Sequence, residues 1–567
     1  MSEILKEVVF WGCFFIFNFA FFLPNYLLHY PHASIFPQKW KHPKRLGTGI
    51  GMEENPDVFR LSIDMSLLIL MTRYIDQMPL VVVSGYFGFI WLFNLYYLAF
   101  KKIYEFDPML INDARLLKNA IGFLWGEDKI KFIGNVLTLL AICVMLVWSF
   151  FAYLSFSVAL APTSFTHFLG VFLLVLTVVV VTRHRYKDYH STHYRFLFVP
   201  FRLIQNLRDS LKLYKTVAET DWNLLEEKRQ CKVKLVERPN VYLIFIESYG
   251  SILLKEPEIS TQFKAEFASF QNHLVASNWK VKSQLSESIS LVGPSWLAYT
   301  SVLMGARVAS NFKYEFLLKN EKFHKYDTLT KFFQKQGYQS YNLNATKPKR
   351  GVATPLDEMA SLFGIDEWIL RHHVPFKGTK YGFTEGPSDQ YVLNYGLEEV
   401  IQKKTDPFVL FYLTKNSHSP YISPTSPVQD WRALNDGNER LVGNNFLQRP
   451  TMGDYMSSIT YQLQFLSDFI VRQGSPKDVF LLIGDHQPHH ISNTQKHGLE
   501  TFVHAISQNE SFLHGFEEYG FNTGLPGGSV SALKHEALYS IFMRQIIKTY
   551  GPKGAPLPDY EPNGLQF

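Results

Sequence analysis

Long apolar runs fill the first third of the chain, and short ones punctuate the rest. Residues 8–29, 79–100, 132–156 and 160–182 are each nearly free of charge and long enough to cross a bilayer as a helix. A shorter run, Leu61 to Met71, contains Asp64 and is followed by Arg73, so it fits either a fifth span or an interfacial helix. Between 183 and 238 the pattern becomes amphipathic, with Leu203, Leu207, Leu211 and Leu213 among Arg208, Lys212 and Lys215. That spacing suits a juxtamembrane linker lying on the bilayer, and equally a solvated helix with one core-facing stripe.

After Pro239 the texture changes. Val241 to Ile246, Phe408 to Leu413 and Val479 to Ile483 are continuous apolar runs of strand length, which suits central strands of a parallel sheet covered on both faces. Helical patterns at 322–336 and 455–473 lie between them and complete an α/β rhythm. The expected fold is therefore an N-terminal α-helical transmembrane module (1–182) and a linker (183–238), followed by an α/β domain with a central, mostly parallel sheet (239–550). The tail, 551–567, is rich in Pro and Gly and reads as a surface strap or a disordered end.

Composition adds detail to this picture. The 49 Phe among 567 residues are densest in the first third, where they suit lipid-facing helices. A net charge of +6 is modest for this length and gives no reason to expect nucleic acid. Cys13, Cys143 and Cys231 are too few and too scattered for a disulfide framework or a zinc motif. The first apolar run lacks a strongly basic leader and a small-residue cleavage site, so it is expected to be a retained helix. Charge and topology conflict: Arg183, Arg185, Lys187, Arg195 and Arg202 would make the side after the last span cytoplasmic, whereas five spans from a cytoplasmic N-terminus put it outside.

Candidate chemistry sits where strands end. In open α/β sheets ligands collect beyond the carboxyl ends of strands. The three apolar strands run into Glu247-Ser248-Tyr249-Gly250, Thr414-Lys415-Asn416-Ser417-His418 and Gly484-Asp485-His486. Glu, Asp and His brought to one edge offer mixed oxygen and nitrogen donors for a divalent metal. Gly293-Pro294-Ser295 reads as a sharp turn entering a helix with Pro294 at the first helical position, which puts Ser295 in a first turn that favours an anion such as a phosphoryl group. Ser288, Ser290 and Ser301 are nearby competitors, and Ser295 could equally be a helix-start residue with no chemistry.

Together these residues resemble the alkaline phosphatase superfamily, and within it the lipoteichoic acid synthase and phosphoglycerol transferase branch, often described as sulfatase-like. In that superfamily the nucleophile is followed ten positions later by a glycine. Here Ser295 stands ten before Gly305, in Val302-Leu303-Met304-Gly305, and this offset selects it over its neighbours. The resemblance implies that Glu247, Ser295, Asp485 and His486 hold one divalent ion, with manganese favoured and zinc or magnesium as alternatives. It implies substrate binding by His418, in His418-Ser419-Pro420-Tyr421, and Gly386-Pro387-Ser388-Asp389 also fits its texture. Asn344, Lys347, Lys349 and Arg350 stand where the branch usually carries a His and a Trp-x-Arg, so they are the candidate head-group pocket. His504 and Asp389 are candidates for supporting positions behind the ligands.

Two departures narrow the branch. A sulfatase needs a Pro and an Arg after the Cys or Ser that becomes formylglycine, and Trp296, Leu297, Ala298 and Tyr299 supply neither. Phosphoethanolamine transferases of the family usually carry a disulfide-rich soluble domain, which this one lacks. The resemblance therefore implies a multi-pass enzyme of a bacterial-type cell membrane with its catalytic domain outside the cytoplasm. It would move a phosphoglycerol-type group from a phosphatidylglycerol-like donor to a glycan or glycolipid acceptor through a phospho-seryl intermediate. A hydrolase using water, or an inactive membrane scaffold, are the alternatives.

Overall fold

The computed structural model describes residues 3–29, 61–104 except 76, 108–109, 111, 129–159, 167–175 except 169 and 173, and 196–566 except 198, 346–355, 382–385, 404–406, 437–440, 443–449, 490, 493 and 527–532. The chain forms two compact units, Met1–Tyr214 and Lys215–Phe567.

In the first unit the long apolar runs are helices α1 (Glu3–His29), α3 (Leu80–Tyr104) and α4 (Lys129–Val158). Among the described residues, three segments are long and apolar enough to cross a membrane: Ile4–Pro24, Leu80–Phe100 and Ile133–Val158. Most of the predicted span at 160–182 lies outside the described residues. The helices pack through aromatic rings, with Phe87 and Phe150 stacked at 4.2 Å and Phe17 edge-on to Phe150 at 5.1 Å. The shorter run is α2 (Ile63–Tyr74), whose Asp64 accepts hydrogen bonds from the Val199 backbone N–H at 2.7 Å and the Tyr86 hydroxyl at 3.3 Å. This acid serves the unit's own packing. The amphipathic stretch is α5 (Val199–Glu219), and it exposes Ile204, Leu207 and Leu211.

The second unit is built on an eight-stranded sheet. Its strands are β1 (Val241–Ile246), β2 (Lys280–Glu287), β3 (Gln339–Asn344), β4 (Glu367–Leu370), β5 (Phe408–Leu413), β6 (Val479–Gly484), β7 (Glu500–Ser507) and β8 (Asn522–Thr523). In space they run β8-β2-β7-β6-β1-β5-β3-β4. The stretch from β6 to β4 is parallel, and β7, β2 and β8 continue it with antiparallel pairing. The three apolar runs are thus adjacent central strands.

Burial on both faces explains their composition. Val241, Leu243 and Phe245 join one hydrophobic core, and Tyr242, Ile244 and Ile246 join the other across the sheet. Every β1 and β6 position is buried, so a polar residue anywhere in these runs would lose its water without gaining a partner. Polar residues return only where each strand ends, and the pattern therefore marks the site edge.

Register then sets which strand-end residues meet. Gly484 pairs with Ile246 in the β6–β1 ladder, so Asp485 follows opposite Glu247. Phe245 pairs with Leu413 in the β1–β5 ladder, so Lys415 stands level with Glu247 on its other side.

The helix at 455–473 extends to Met452–Gln473, capped by Thr451 and Asp454 through reciprocal hydrogen bonds. The expected helix at 322–336 is broken in two, a 3-10 turn at Glu321–Lys325 and an α-helix at Leu329–Lys335, because the Thr328 side chain caps the second piece. The tail is a strap: Leu565 N–H bonds to the Gly305 carbonyl at 2.8 Å, and Glu561 pairs with Arg229 at 2.6 Å.

Candidate functional site

Ser295 opens helix α6 (Ser295–Met304). Gly293 takes φ +102°, a conformation that a Cβ disfavours, and this turns the chain sharply into the helix. Pro294 is the residue before the helix, and not its first residue as the sequence suggested; Ser295 takes that place. The far end of α6 accounts for the ten-residue offset. Gly305 terminates the helix at φ +63°, its carbonyl accepts from Arg229, and an added Cβ would stand 2.6 Å from Arg229 Nη2 and 2.7 Å from the Tyr539 ring.

The sheet edge brings four candidate residues together. Ser295 Oγ lies 3.3 Å from Glu247 Oε2 and 3.3 Å from His486 Nε2. His486 Nε2 is 3.5 Å from Glu247 Oε1 and 3.3 Å from Asp485 Oδ2. Glu247, Asp485 and His486 are buried and offer ligand atoms within 4.8 Å of one another. Ser295 is half-buried. Ser295 is thus the member of this cluster that is not fully buried.

Each ligand is held from behind. The Ser248 and His486 backbone N–H groups both donate to Asp485 Oδ1 at 2.7 Å. His486 Nδ1 lies 2.8 Å from the Gln487 carbonyl, which assigns the proton to Nδ1 and leaves the Nε2 lone pair facing the cluster. The Glu247 N–H donates to Thr414 Oγ1 at 3.0 Å, and Ser248 Oγ donates to Glu247 Oε1 at 3.0 Å. Ser248 sits at φ +59°, a left-handed conformation costing a non-glycine residue roughly 1–2 kcal/mol, and the Tyr455 hydroxyl secures its carbonyl at 2.7 Å.

Electrostatics point to a cation. Burial first, and then the Glu247 charge, push the Asp485 carboxyl up to about 6. Burial alone would lower His486, but the Asp485 and Glu247 carboxylates outweigh it and the net shift is upward. Asp485 Oδ2 is wholly buried and accepts no hydrogen bond from the described residues. Two carboxylates and an imidazole lone pair converging around such an oxygen fit a divalent metal held by Glu247, Asp485 and His486, with Ser295 Oγ beside them.

The other predicted residues among those described lie apart from this cluster's ligands. Asp389, buried at the start of helix α7 (Asp389–Tyr395), accepts from the Lys415 and Asn416 N–H groups at 2.8 and 2.7 Å, and from the Tyr412 hydroxyl and Gln462 Nε2 at 2.7 Å each. It clamps the turn after β5 that carries His418. There His418 is half-buried, its Nδ1 2.6 Å from the Ser419 carbonyl, and burial pushes its imidazole down to about 4. His504 lies within the sheet, between Ser283 Oγ at 2.8 Å and the Tyr249 hydroxyl at 3.1 Å, and supports the segment following Glu247. Asn344 ends β3 at the same carboxyl edge, two strands from β1. Lys347, Lys349 and Arg350 lie outside the described residues.

Sequence reasoning passed over several contributors. Ser248 and Thr414 stood in the strand-end runs but without a role assigned to them, and Gln462 had no motif to mark it. His535 is another: its Nε2 lies 3.0 Å from the Gly484 carbonyl and its Nδ1 2.8 Å from Ser286 Oγ, so it fixes the strand end just before Asp485. Only its hydrogen bonds across the fold reveal it.

Residues 298–512 match the Sulfatase family, a span that includes Asp485 and His486 and begins just after Ser295. No curated protein matches the chain significantly. Among solved structures, the chain is similar to a protein of the alkaline phosphatase superfamily from Vibrio parahaemolyticus (16% identity, 50% of this chain and 67% of that one, TM-score 0.34). It is also similar to the lipoteichoic acid synthase LtaP from Listeria monocytogenes (14%, 60% and 80%, TM-score 0.38) and to the Streptococcus pyogenes phosphoglycerol transferase GacH in complex with sn-glycerol-1-phosphate (13%, 57% and 82%, TM-score 0.34). Residues 298–512 of the α/β unit are thus similar to the Sulfatase family, and the same chain carries a module of apolar helices.

Proposed function

We propose that the protein is a membrane-tethered, metal-dependent transferase that moves a phosphoglycerol-type head group from a phosphatidylglycerol-like lipid to a glycan or glycolipid acceptor. The observation that carries this reading is Ser295 Oγ, half-buried at a helix start and 3.3 Å from both Glu247 Oε2 and His486 Nε2. When bound at Glu247, Asp485 and His486, a divalent cation, with manganese the favoured choice, supplies a Lewis acid that eases loss of the serine proton and draws charge from phosphoryl oxygens.

The chain's own residues do the rest. Ser295 Oγ attacks phosphorus and gives up its proton, and the Oγ–P bond forms as the P–O bond to diacylglycerol breaks; the leaving alkoxide takes a proton. The first turn of α6 presents backbone N–H groups that lack intrahelical acceptors, and these favour the developing negative charge. His418, kept neutral by burial, can donate or accept a hydrogen bond on the departing or incoming hydroxyl. An acceptor hydroxyl then attacks the phospho-serine and restores Ser295. The apolar helices keep this unit tethered where its lipid donor is concentrated, with the catalytic unit on the extracytoplasmic side.

The test uses phosphatidylglycerol labelled in its head group, with full-length protein, Mn2+ and a glycolipid acceptor. Label appearing on the acceptor is the expected result. Release of the label to water alone, with acceptor present, would identify a phosphodiesterase instead.

A further inference from the structure

Lys415 is not used by the chemistry above, yet it occupies a distinctive place. The β1–β5 register sets it level with Glu247, as the β6–β1 register sets Asp485 level with Glu247 on the other side. Neighbouring strands lie about 4.8 Å apart, so Asp485, Glu247 and Lys415 form a row along the carboxyl edge. The Lys415 backbone is pinned, because its N–H donates to both Asp389 oxygens at 2.8 Å. Its ammonium is different: it makes no hydrogen bond or ion pair with any described residue.

The Lys415 residue is half-buried, so its charge is partly withdrawn from water with no counter-charge from the described residues in ion-pair range. Burial pushes it down from its usual range, and the groups that pull it back are Glu247, Asp389 and Asp485. The same charge helps to push His418 down. The groups that feel the ammonium are thus site residues, and none of the carboxylates comes within ion-pair distance. Other lysines of this unit close on an acid: Lys255 meets Glu500 at 2.9 Å, and Lys282 meets Glu517 at 2.6 Å.

We infer that Lys415 is a phosphoryl-binding residue, its ammonium taking up the non-bridging oxygens of the group presented to Ser295. Its place on the edge, beside Glu247 and before His418 on one turn, lets it hold those oxygens from the side opposite Asp485. As a compact point charge it selects for negative charge more than for head-group shape. This inference rests on the phosphoryl-transfer reading.

The test separates the two. Full-length protein in non-ionic detergent, carrying Ser295→Ala and loaded with Mn2+, is titrated calorimetrically with inorganic phosphate and with short-chain phosphatidylglycerol. Lys415→Met and Lys415→Arg are compared with the parent, and bound metal is counted in each. The expected result is roughly 10–100-fold weaker binding in Lys415→Met, recovery to within a few-fold in Lys415→Arg, and unchanged metal content. Parallel loss for both ligands supports recognition of the phosphoryl oxygens themselves; loss confined to the lipid supports recognition of the esterified head group. Equal affinities in Lys415→Met and its parent would overturn the role of Lys415 alone, and loss of metal along with affinity would replace it with a structural role. A parent that binds neither ligand would overturn the phosphoryl-transfer reading and this inference together.

Discussion

Replacing Asp389 tests how the turn after β5 is held. The carboxylate serves four donors: the Lys415 and Asn416 N–H groups, the Tyr412 hydroxyl and Gln462 Nε2. Asp389→Ala removes every acceptor at once. Tyr412 and Gln462 can reorient, but the two backbone N–H groups cannot, and each unsatisfied donor costs about 1–3 kcal/mol, so about 4 kcal/mol is expected in total. Asp389→Asn is milder. If its oxygen takes the place of Oδ2, it keeps the Asn416, Lys415 and Gln462 bonds, and the Tyr412 hydroxyl rotates to accept from the new amide. What remains is the loss of charge assistance, about 1–2 kcal/mol. The second unit has roughly 350 residues, which at about 2.1 cal/mol/K per residue gives about 1.4 °C per kcal/mol. Thermal unfolding of the full-length protein should therefore show a drop of about 6 °C for Asp389→Ala and about 2 °C for Asp389→Asn. Equal melting of wild type and Asp389→Ala, or a larger drop for Asn than for Ala, would refute the clamp.

Three further outcomes follow from the same geometry. Gly305→Ala should lose about 3 kcal/mol, summing the left-handed backbone cost and the collision with Tyr539 and Arg229, and this is measurable by thermal or denaturant unfolding. Asp485 is raised to about 6 and His486 is also raised, so the folded metal-free protein holds protons that the unfolded chain releases earlier. Its stability should fall as pH rises from about 4 through about 6 for Asp485, and above about 6.5 for His486. Since metal competes with those protons, the melting difference between metal-loaded and metal-free protein should widen between pH 5 and pH 8. A constant or narrowing difference would argue against metal at these residues. His535→Ala should lower metal affinity by roughly 10-fold or more by leaving the Gly484 carbonyl held by Thr501 Oγ1 alone, as a metal titration with a fluorescent competitor would show.

Much of this architecture was legible in the sequence because both of its signals are local. Length and absence of charge marked the apolar helices, and continuous apolar runs marked β1, β5 and β6 as central strands. Polar residues ending those strands pointed to Glu247, Asp485 and His486, and the glycine offset picked Ser295. The physical basis of the offset, however, needs Tyr539 and Arg229, which are remote in sequence and come together only on folding. The same holds for the clamp. Asp389 was noted for its motif, but its partners Tyr412 and Gln462 come from a strand and from the helix at Met452–Gln473. Lys415 was in view as one letter of a strand-end run, and only the register with Glu247 singles it out. His504 read as a candidate behind the ligands, and its bonds to Ser283 and Tyr249 place it inside the sheet.

The central claim is that Ser295 carries the transferred group. Full-length protein incubated with Mn2+ and phosphatidylglycerol, without acceptor, is quenched in acid, digested and analysed by mass spectrometry. The account predicts a phosphoglycerol adduct on the peptide containing Ser295 that disappears when acceptor is added, and no adduct in Ser295→Ala, which keeps its metal. Head-group transfer by Ser295→Ala at the wild-type rate, or an adduct on another residue, would contradict it.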